Sequence, residues 1–243
     1  MINIEHTEVH GWEPAIRGMR NPMNSWEKSD SGYSDISYSM YVLGPNDYDL
    51  ALRLAKAGTE HSKYRRMIVV YADITAPLYW WKELDTYKVG TVANSCSSMH
   101  KIHAKEFTLE DFSYEHLMRF PKDYTGPTVD IETGKVEIED VLIQPLEDGY
   151  MLLSPRGALE VTVEMLNLCR DKFLETKDKQ YWWQMIQLLP SSYNQKRTVM
   201  LNYENLAAMY RERKDHKLDE WHTFCDWIKE LPYSELITLE ESE

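Results

Sequence analysis

The chain has 243 residues, with 40 acidic and 27 basic side chains and a formal charge of −13. An acidic excess of this size argues against binding to nucleic-acid polymers and to anionic membrane surfaces, while 43% hydrophobic residues, with 8 Trp and 16 Tyr, predict a globular core. No apolar run is long enough to span a bilayer and no signal peptide is evident, so we expect a soluble, cytoplasmic protein without a membrane partner.

The first predicted elements are a strand and a basic connection. Residues 1–12 are typical of a short strand that ends at Gly11. Residues 14–25 contain no acid and carry Arg17 and Arg20 together with two asparagines. The Gly and Pro residues within this stretch indicate a loop, or a short helix followed by a turn. A solvated loop and a segment that helps to hold an anion both fit its composition.

A helix and a buried strand follow. Over 46–57, leucines and alanines mixed with charged residues predict a helix, which Asn46 or Asp47 caps. Residues 66–74 are rich in β-branched side chains and predict a buried strand. The segment that begins at Ala76-Pro77 then has helical periodicity.

The window from Thr86 to Lys105 contains no Asp or Glu. Its donors are three lysines, two histidines and six hydroxyl groups, which on an acidic protein suit a bound anion; a helix with a polar face explains them equally well. His100 and His103 are spaced for one helix face, but without further ligands nearby we predict no metal site. The chain's cysteines, Cys96, Cys169 and Cys225, are too scattered for a disulfide framework or a zinc site, and Cys96 is expected to be a packed residue.

Residues 107–119 predict another helix, with Thr108 as its cap. Alternating residues on both sides of Thr133-Gly134 predict a β-hairpin, which we interpret as a peripheral insertion over 121–150. From Ala158 onward the chain is predicted to be mostly helical. The first of these helices has an apolar stripe that consists of Val161, Met165, Leu166, Cys169 and Phe173.

The C-terminal part is predicted to contain a helix ending at Pro190, a third acid-free stretch at 191–197 with Lys196 and Arg197, and two further helices. The helix predicted over 200–214 has Leu206 and Met209 on one face. Extending that face by four residues in each direction reaches Asn202 and Arg213, about 16 Å apart at 1.5 Å per residue.

Two interpretations of this polar pair remain open. Asn202 and Arg213 could contact two parts of an extended ligand or two adjacent ligands. Alternatively, Asn202 caps a helix or reaches a neighbouring one, and Arg213 pairs with a protein carboxylate. A guanidinium on an apolar face must meet an anion, and we predict that this anion is a ligand phosphate.

The segment 181–221 resembles the C-terminal half of flavin-dependent thymidylate synthases. That family has a helix ending in Leu-Pro, a short loop, an Asn-x-x-x-Leu helix and an Arg before a polar break, matched here by Leu189-Pro190, Asn202, Leu206 and Arg213. The first half is similar as well, because Glu60-His61, the predicted strand and Ala76-Pro77 occur in the family's order. The resemblance covers about 60–105 and 180–232 and leaves the predicted hairpin unmatched.

The family's Arg-His-Arg signature is degenerate in this sequence. Anchoring on Ala76-Pro77 sets Thr86-Tyr87-Lys88 against it, places Cys96 or Ser97 at the signature serine, and puts Lys82 at a basic helix position. The family's Ser-x-Arg-Tyr ending becomes SSMHK, so its Arg is also missing. These groups hold the flavin and the nucleotide phosphate in the family, so their replacement bears on the synthase reaction more than on the fold.

The resemblance implies an α+β fold in which helices flank a small, mostly antiparallel sheet, formed by a single domain over 1–243. It also implies a homotetramer, since sites in the family are built from several subunits. The expected cofactor is FAD, near His61, Lys88 and Asn202. The expected substrate is a pyrimidine nucleotide, with hydrogen bonds from Tyr87, Asn94 and Ser97 and a phosphate contact from Arg213.

Three function classes follow from these observations. The first is a flavin enzyme that methylates dUMP or carries out a variant of this reaction, with NADPH and methylene-tetrahydrofolate as co-substrates if it is a true synthase. The second is a degenerate relative that binds nucleotide or flavin without turnover, and the third is a structural or partner-binding protein. The sequence identifies no catalytic residue, because in the family the flavin supplies the chemistry.

Overall fold

The structure is a computed structural model that describes residues 2–34, 41–119, 128–129, 132–133, 136–137, 142–146 and 149–239. By contacts the chain forms two compact units. Unit 1 consists of residues 1–96 and 195–243, and unit 2 consists of residues 97–194. Each unit has a hydrophobic cluster of its own. Whether the two together constitute the single predicted domain stays a prediction.

The helices are α1 (Trp12–Met19), α2 (Pro45–Lys56), α3 (Leu78–Leu84), α4 (Pro155–Thr176), α5 (Lys179–Leu188), α6 (Tyr203–Arg213), α7 (Asp219–Lys229) and α8 (Glu235–Thr238). The strands are β1 (Asn3–His10), β2 (Gly32–Tyr33), β3 (Tyr41–Val42), β4 (Val69–Pro77), β5 (Val92–Ser95), β6 (Thr128–Val129), β7 (Val136–Glu137), β8 (Leu142–Leu146), β9 (Gly149–Leu153) and β10 (Asn194–Asn202). Short 3₁₀ turns lie at Asn21–Met23, Trp26–Lys28, Lys63–Met67 and Leu109–Asp111. In the part of the chain covered by the described ranges, none of the helices is both long and apolar enough to cross a membrane.

Unit 1 is organised around a four-stranded sheet in the order β1-β4-β10-β5. The β1–β4 pair and the β10–β5 pair are both antiparallel. Alternate residues of β4, from Val70 to Ala76, are buried, as the period of two in a strand requires when one face meets the core. The predicted architecture, helices around a small antiparallel sheet, is confirmed.

The core of unit 1 contains an aromatic cluster between α3 and α7. Trp80 lies 5.0 Å from Trp81 and 5.0 Å from Trp221, measured between ring centroids, and 5.5 Å from Phe224. All four rings are fully buried. Tilted and edge-to-face pairs of this kind each add about 0.5–1.5 kcal/mol beyond the area they bury. The cluster therefore fixes α3, and the predicted site residues Tyr87 and Lys88 follow the C-terminal end of this helix within four residues.

Gly11 connects β1 to α1 in a conformation that other residues adopt only with strain. Its φ is +89°, and a Cβ atom at this position would lie 2.1 Å from the carbonyl oxygen of Met67. A side chain here would clash with backbone. The predicted end of the first strand at Gly11 is confirmed, and the glycine allows α1 to start directly against the turn at 63–67.

Unit 2 is built on α4 and α5. Ser154 caps α4, with its hydroxyl accepting from the Gly157 amide at 3.0 Å. The predicted apolar stripe of α4 is only partly right, because Leu166 and Cys169 are buried whereas Val161 and Met165 are 47% and 45% exposed. Val161 and Met165 lie on the opposite side of the helix, so the predicted stripe combined residues of two faces.

Two predicted helices are wrong in extent. Over 107–119 only one 3₁₀ turn forms, at 109–111, closed by a reciprocal Thr108–Asp111 capping box. Phe112 then adopts an extended conformation and forms a β-bridge with Tyr193. Residues 200–202 belong to β10 rather than to the following helix.

The predicted hairpin over 121–150 lies largely outside the described residues. Within it, Thr128–Val129 pairs antiparallel with Val136–Glu137, and β8 pairs antiparallel with β9. Whether this segment is an insertion relative to related folds stays a prediction.

Candidate functional site

A wide cleft with an excess of basic side chains opens beside the C-terminal end of α1. It has a volume of 1070 Å³ and lies between α1, α2 and the turns at 21–28 and 60–67. The charged residues on its walls are Arg17, Arg20, Lys28, Arg53 and Lys63, which are basic, and Asp49 and Glu60, which are acidic. On a protein with a formal charge of −13, this basic cleft is a place where an anion can be held.

The acid-free stretch 14–25 forms one wall of the basic cleft. It folds as the second half of α1 followed by the 3₁₀ turn at 21–23, so the predicted short helix and turn are confirmed. Most of its residues line the cleft. Arg17 and Arg20 of this stretch were predicted to mark a basic segment. The fold brings them together with Lys28, Arg53 and Lys63, which no sequence pattern connects to them.

Arg20 forms a buried ion pair that holds this wall to α2. Its Nε donates to Oδ1 of Asp47 at 2.5 Å, with 5% and 0% of the two side chains exposed. The second carboxylate oxygen, Oδ2, accepts from the hydroxyls of Ser29 and Ser31 at 2.8 and 2.7 Å. Burial alone would raise the pKa of Asp47, but the hydrogen bonds from Ser31, Ser29 and Arg20 lower it below its usual value. The charge of Arg20 is therefore neutralised and its role is structural.

The predicted caps of α2 are wrong. Neither Asn46 nor Asp47 caps the helix, since Gly44 is the N-cap residue. The carboxylate of Asp30 instead accepts from the backbone amides of Asn46 and Asp47 at 2.9 and 3.0 Å. A carboxylate that is distant in sequence satisfies these orphan amides as well as a local one would, which leaves Asp47 available for Arg20.

Three other cations of the basic cleft have a weak carboxylate partner or none among the described residues. Among the described residues, Lys28 and Lys63 have no carboxylate within ion-pair distance. Arg17 comes no closer than 3.8 Å to Glu13, and both side chains are largely exposed, so this pair is weak. His61, a predicted cofactor-binding residue, is exposed and lines the same cleft.

Apolar side chains line the same cleft between its charged groups. Met23 and Met67 are 80% and 43% exposed, and Tyr64 and Leu50 also contribute. Methionine side chains adapt their shape and make favourable contacts with aromatic rings. Cations on the walls together with adaptable apolar side chains suit a ligand that combines phosphate with a planar ring.

Arg213 is paired with a carboxylate of the protein. Its Nη1 donates to Oε2 of Glu83 at 2.9 Å, and the guanidinium lies 4.8 Å from the ring centroid of Trp221. The same Oε2 accepts from Nε1 of Trp221 at 2.8 Å, and Nε2 of His216 lies 3.5 Å away. Of the two alternatives left open by the sequence, the structure shows the carboxylate. The predicted phosphate contact must therefore compete with Glu83.

Tyr87 extends this cluster. Its hydroxyl accepts from Nε of Arg213 at 3.0 Å and donates to Oε2 of Glu212 at 2.8 Å. Burial raises the pKa of Tyr87, the hydrogen bond from Arg213 opposes this rise, and the one to Glu212 adds to it. The structure thus brings together two of the four predicted substrate-binding residues, Tyr87 and Arg213, which are 126 residues apart.

Asn202 caps α6. Its Oδ1 accepts from the Asn205 amide at 2.9 Å and its Nδ2 donates to the carbonyl of Gly90 at 3.3 Å. Gly90 has φ +74°, and a Cβ atom there would lie 2.9 Å from the side-chain nitrogen Nδ2 of Asn202. The capping alternative is therefore the one observed, and both hydrogen bonds engage the side chain that was predicted to contact flavin.

Lys88 and Tyr87 line a smaller pocket of 380 Å³ between the end of α3 and β5. Thr91 and Met209 also contribute to this lysine pocket. Lys88 is exposed, and no carboxylate pairs with it among the described residues. The predicted cofactor-binding residues thus occupy separate places: His61 is in the basic cleft, Lys88 is in the lysine pocket, and Asn202 lines neither.

The two remaining predicted substrate-binding residues are in different units. Asn94 is an exposed residue of β5 that pairs with Thr198 on β10. Ser97 is the first residue of unit 2, and its hydroxyl accepts from the His100 amide at 3.0 Å. Their role in binding a nucleotide stays a prediction.

The cations of the third acid-free stretch are neutralised within unit 1. Nζ of Lys196 lies 3.2 Å from Glu5 and 3.3 Å from Asp73. Nη1 of Arg197 donates to Asp85 at 2.8 Å, and its guanidinium lies 4.2 Å from the ring centroid of Trp81. These contacts make Lys196 and Arg197 structural groups on β10 rather than cations available to a ligand.

The histidines and cysteines of the acid-free window have ordinary surroundings. The ring of His103 packs edge-on against Phe173, with centroids 4.8 Å apart. Within the described ranges, no group of three or more His, Cys, Asp or Glu side chains could hold a metal ion. Cys96 is exposed rather than packed, whereas Cys169 and Cys225 are buried, so the prediction that Cys96 is a packed residue is wrong.

Glu83 is the main site residue that sequence reasoning missed. It stands next to Lys82, which the family resemblance highlighted, yet it is Glu83 that meets Arg213 from 130 residues away. A helical stripe shows that Arg213 needs an anion but does not show which one. Lys63 was missed for a different reason, because the basic cleft forms only when α1, α2 and the turn at 63–67 come together.

The fold is that of solved nucleotide-modifying enzymes. Thymidylate synthase ThyX from Helicobacter pylori, solved with FAD and dUMP, is 16% identical over 98% of both chains, with a TM-score of 0.60. A second complex of that flavin-dependent enzyme with FAD and dUMP gives 17% identity over 98% of this chain and 97% of that chain, with a TM-score of 0.59. The UMP/dUMP methylase PolB from Streptomyces cacaoi, bound to 5-Br dUMP, gives 13% identity over 98% and 95% of the chains, with a TM-score of 0.54.

These likenesses extend over nearly the whole chain, and at such low identity they show the fold alone. No family model matches the sequence, and no curated protein does so either.

Proposed function

We propose that this chain binds a flavin and a pyrimidine deoxynucleotide, and that it methylates dUMP or carries out a variant of that reaction. The observation that carries the proposal is the basic cleft, which on a strongly acidic protein provides apolar side chains and cations that no described carboxylate pairs with. The fold agrees with this function, since proteins that share it were solved with FAD and dUMP. Because function belongs to sites rather than folds, the proposal depends on the cleft.

The donors of the basic cleft fit the cofactor. A flavin dinucleotide has a diphosphate, which Lys28, Lys63 and Arg17 would hold through charged hydrogen bonds. Its ring system would lie against Met23, Met67 and His61, which are exposed in the cleft. When bound, the flavin supplies the hydride and mediates methylene transfer, with NADPH and methylene-tetrahydrofolate as co-substrates.

The lysine pocket would take the nucleotide phosphate. Lys88 is its cation and has no carboxylate partner among the described residues; Asp85 also lines the pocket but is paired with Arg197, and Thr91 and Tyr87 bring hydroxyl groups to it. Arg213 would join them only after leaving Glu83. In this arrangement the residues of the chain bind, orient and shield the reactants, and no side chain is required to attack the base.

A homo-oligomer would bring these elements together. His61 and Lys88 lie in separate clefts of one chain, so a shared site needs contributions from more than one copy. The outer face of α4 offers a contact surface, because Val161, Met165 and Leu168 are 47%, 45% and 56% exposed at helical spacing. We take a tetramer as the working assembly.

A second candidate function is a nucleotide- or flavin-binding protein without turnover. The specific observation in its favour is the Glu83–Arg213 ion pair, which neutralises a cation that the family uses for the nucleotide. The replacement of the Arg-His-Arg signature by Thr86, Tyr87 and Lys88 points in the same direction.

The test is a visible spectrum of the purified protein followed by titration with FAD. We expect bound flavin, and we expect Lys63→Ala and Lys28→Ala each to weaken FAD about 10- to 100-fold, corresponding to the 1.5–3 kcal/mol of a charged hydrogen bond. Lys82→Ala is the matched control, because Lys82 is exposed on α3 and does not line the cleft. Colourless protein that takes up no FAD would overturn the proposal.

Turnover separates the two candidates. The protein is incubated with dUMP, methylene-tetrahydrofolate, NADPH and FAD, and the nucleotide is analysed by mass. A product heavier by one methyl group supports the enzyme, whereas bound flavin without product supports the degenerate binder.

A further inference from the structure

A second cleft in unit 1 has a different chemistry from the basic cleft. It has a volume of 670 Å³ and lies between the end of β1, the start of α1, the β2–β3 pair and the turn that follows α7. Its lining includes the aromatic residues Trp12, Tyr33, Tyr41, Trp227 and Tyr233. We call it the aromatic cleft, and its volume lies within the usual range for small-molecule sites, about 300–1,000 Å³.

The rings of the aromatic cleft are arranged in edge-to-face pairs. Trp12 and Tyr233 have centroids 5.2 Å apart at an interplanar angle of 71°, and Tyr33 and Tyr41 are 5.2 Å apart at 82°. In such a pair one ring turns its edge to the face of the other, so the rings of the cleft lie in several planes. Rings in different planes can surround a compact ligand from more than one side.

The polar groups of three of the five rings are already hydrogen-bonded. Nε1 of Trp227 donates to the hydroxyl of Thr7 at 3.0 Å, and the Tyr233 hydroxyl accepts from the Leu43 amide at 2.9 Å. The Tyr33 hydroxyl donates to Oε2 of Glu13 at 3.3 Å. What these side chains retain for a ligand is mainly their π faces, which carry negative electrostatic potential.

The formal charge of the lining is negative. Glu13 and Glu230 are its carboxylates, and no Lys or Arg of the described residues lines the cleft; His10, which also lines it, lies 3.0 Å from Glu8. Glu230 is exposed, and among the described residues it has no basic partner within ion-pair distance. Two carboxylates beside five rings give a field that attracts a cation and repels phosphate.

Elsewhere in the protein, ring faces are covered by the chain's own cations. Arg213 lies over Trp221, Arg197 over Trp81 and Arg156 over Tyr114. In the part of the chain that the structure describes, no Lys or Arg lies over any of the five rings of the aromatic cleft. Within the described residues, the cleft thus combines aromatic rings over which no Lys or Arg lies, the unpaired carboxylate of Glu230, and the carboxylate of Glu13, which Arg17 approaches only to 3.8 Å.

We propose that the aromatic cleft binds a small organic cation of the quaternary or methylated ammonium class. Such a cation is attracted by ring faces and loses little hydration on entering an apolar site, whereas a primary ammonium is strongly hydrated. The carboxylates of Glu13 and Glu230 provide the long-range attraction and the rings provide the contact. This site is separate from the proposed flavin and nucleotide sites, since its described lining has Pro14 alone in common with the basic cleft and no residue in common with the lysine pocket.

The test compares a cation with its neutral isostere on the full-length protein. Choline and 3,3-dimethylbutan-1-ol have the same shape, and only choline carries a charge. Titration calorimetry, together with saturation-transfer NMR on the methyl protons, measures the binding of each. We expect saturable binding of choline at one site per chain and at least tenfold weaker binding of the neutral alcohol.

Variants at exposed positions locate the site without disturbing the core. Tyr33 is 54% exposed, so Tyr33→Leu should leave the protein folded and weaken choline about two- to fivefold, the effect of losing an exposed cation–π contact. Tyr33→Phe keeps the ring and should bind choline as the parent does. Glu230→Gln should weaken choline binding, whereas Asp226→Asn removes a charge from α7, the helix that ends just before Glu230, at a position outside the cleft and should have no effect.

Three results would overturn the proposal. The first is that choline shows no saturable binding at millimolar concentration. The second is that 3,3-dimethylbutan-1-ol binds as tightly as choline, which would indicate a merely apolar pocket. The third is that Tyr33→Leu changes the oligomeric state while choline does not bind, which would show that a second copy of the chain covers this cleft.

Discussion

Nη1 of Arg213 donates to Oε2 of Glu83 at 2.9 Å, which joins the end of α6 to the end of α3 across 130 residues of sequence. The carboxylate also accepts from Trp221 at 2.8 Å, so it is held in place even if the arginine moves away. Glu83 thus pairs with the arginine that was predicted to contact a nucleotide phosphate. Any anion that binds Arg213 must therefore displace Glu83.

The first prediction is that Glu83→Gln increases the affinity for dUMP. The neutral amide can still accept from Trp221, but it no longer neutralises Arg213, and the guanidinium becomes available to a phosphate. Removal of a competing charge-assisted bond is worth about 1.5–3 kcal/mol, or about 10- to 100-fold in affinity. Calorimetric titration of dUMP into both proteins measures the change.

Glu212→Gln is the matched control, because it removes an equal charge nearby that bonds Tyr87 rather than Arg213. If both variants bind dUMP as the parent does while Arg213→Ala only lowers the melting temperature, Arg213 is a structural residue and its substrate role is wrong.

A second prediction concerns the buried ion pair beside the basic cleft. Asp47→Asn leaves the guanidinium of Arg20 without its charged partner, and breaking a buried pair in this way costs about 3–5 kcal/mol of the free energy of unfolding. Urea denaturation measures this loss. Asp49→Asn, on the same helix, removes an exposed pair with Arg53 and should change stability by about 0.5 kcal/mol or less. Equal effects of the two substitutions would contradict the structural role of Asp47.

The same carboxylate makes stability depend on acidity. The pKa of Asp47 in the folded protein is below its ordinary value of 3.8, so the unfolded chain binds a proton at a higher pH than the folded chain does. The stability contributed by Asp47 is therefore complete at neutral pH, begins to fall near pH 4 and is lost as the pH drops through the folded pKa. Denaturation between pH 7 and pH 3 should show this loss in the parent and a smaller one in Asp47→Asn.

The outer face of α4 leads to a third prediction. Leu168→Glu places a charge within the exposed apolar stripe of this helix and should convert the homo-oligomer to a smaller species, since a buried unpaired charge opposes association. Light scattering coupled to gel filtration measures the mass. Asp171→Asn changes the charge of the same helix outside the stripe and should leave the mass unchanged. If the parent protein is already a monomer, the proposed homo-oligomer is wrong.

Thiol reactivity provides a fourth prediction. Cys96 is exposed, whereas Cys169 and Cys225 are buried, and burial raises the pKa of the Cys225 thiol to about 11. Because the thiolate is the reactive form, native protein at pH 8 should react rapidly with Ellman's reagent at one thiol per chain, and at three after denaturation. Cys96→Ser should abolish the rapid phase; rapid reaction of a second thiol would show that unit 2 or α7 opens in solution.

Strong local patterns in the sequence predicted much of the fold. The β-branched run in β4 is typical of a buried strand. The apolar residues of α2 and of α7 recur with the helical period, so each of these segments was predicted correctly. By contrast, Val199 and Leu201 alternate as buried residues of β10, yet Val199 lies three residues before Asn202 and so also fits the helical stripe that ends at Arg213. This segment forms a strand because β10 pairs with β5, which is distant in sequence.

The candidate site was less predictable than the fold. The sequence indicated that Arg213 needs an anion and that residues 14–25 lack acids. In the structure Arg213 pairs with Glu83, and residues 14–25 form a wall of the basic cleft. The sequence could not indicate Glu83 or Lys63, because each acquires its role only through packing between segments distant in the chain. Asn202 was predicted to contact a ligand, but it caps α6. An Asn directly before a helix is most often its N-cap residue.

Unit 2 leaves and rejoins unit 1 at neighbouring points of one sheet. The amide of Cys96, at the end of β5, donates to the carbonyl of Lys196 on β10 at 2.9 Å, and everything between these strands, residues 97–194, belongs to unit 2. A ribosome that adds about 5–20 residues per second needs about 5–20 s to synthesise that interval. Throughout this time β4 and β5 have been synthesised, but β10, the strand that lies between them, has not. The nascent chain therefore carries unpaired strand edges that the finished sheet does not have, and this is the stage at which it is most open to aggregation.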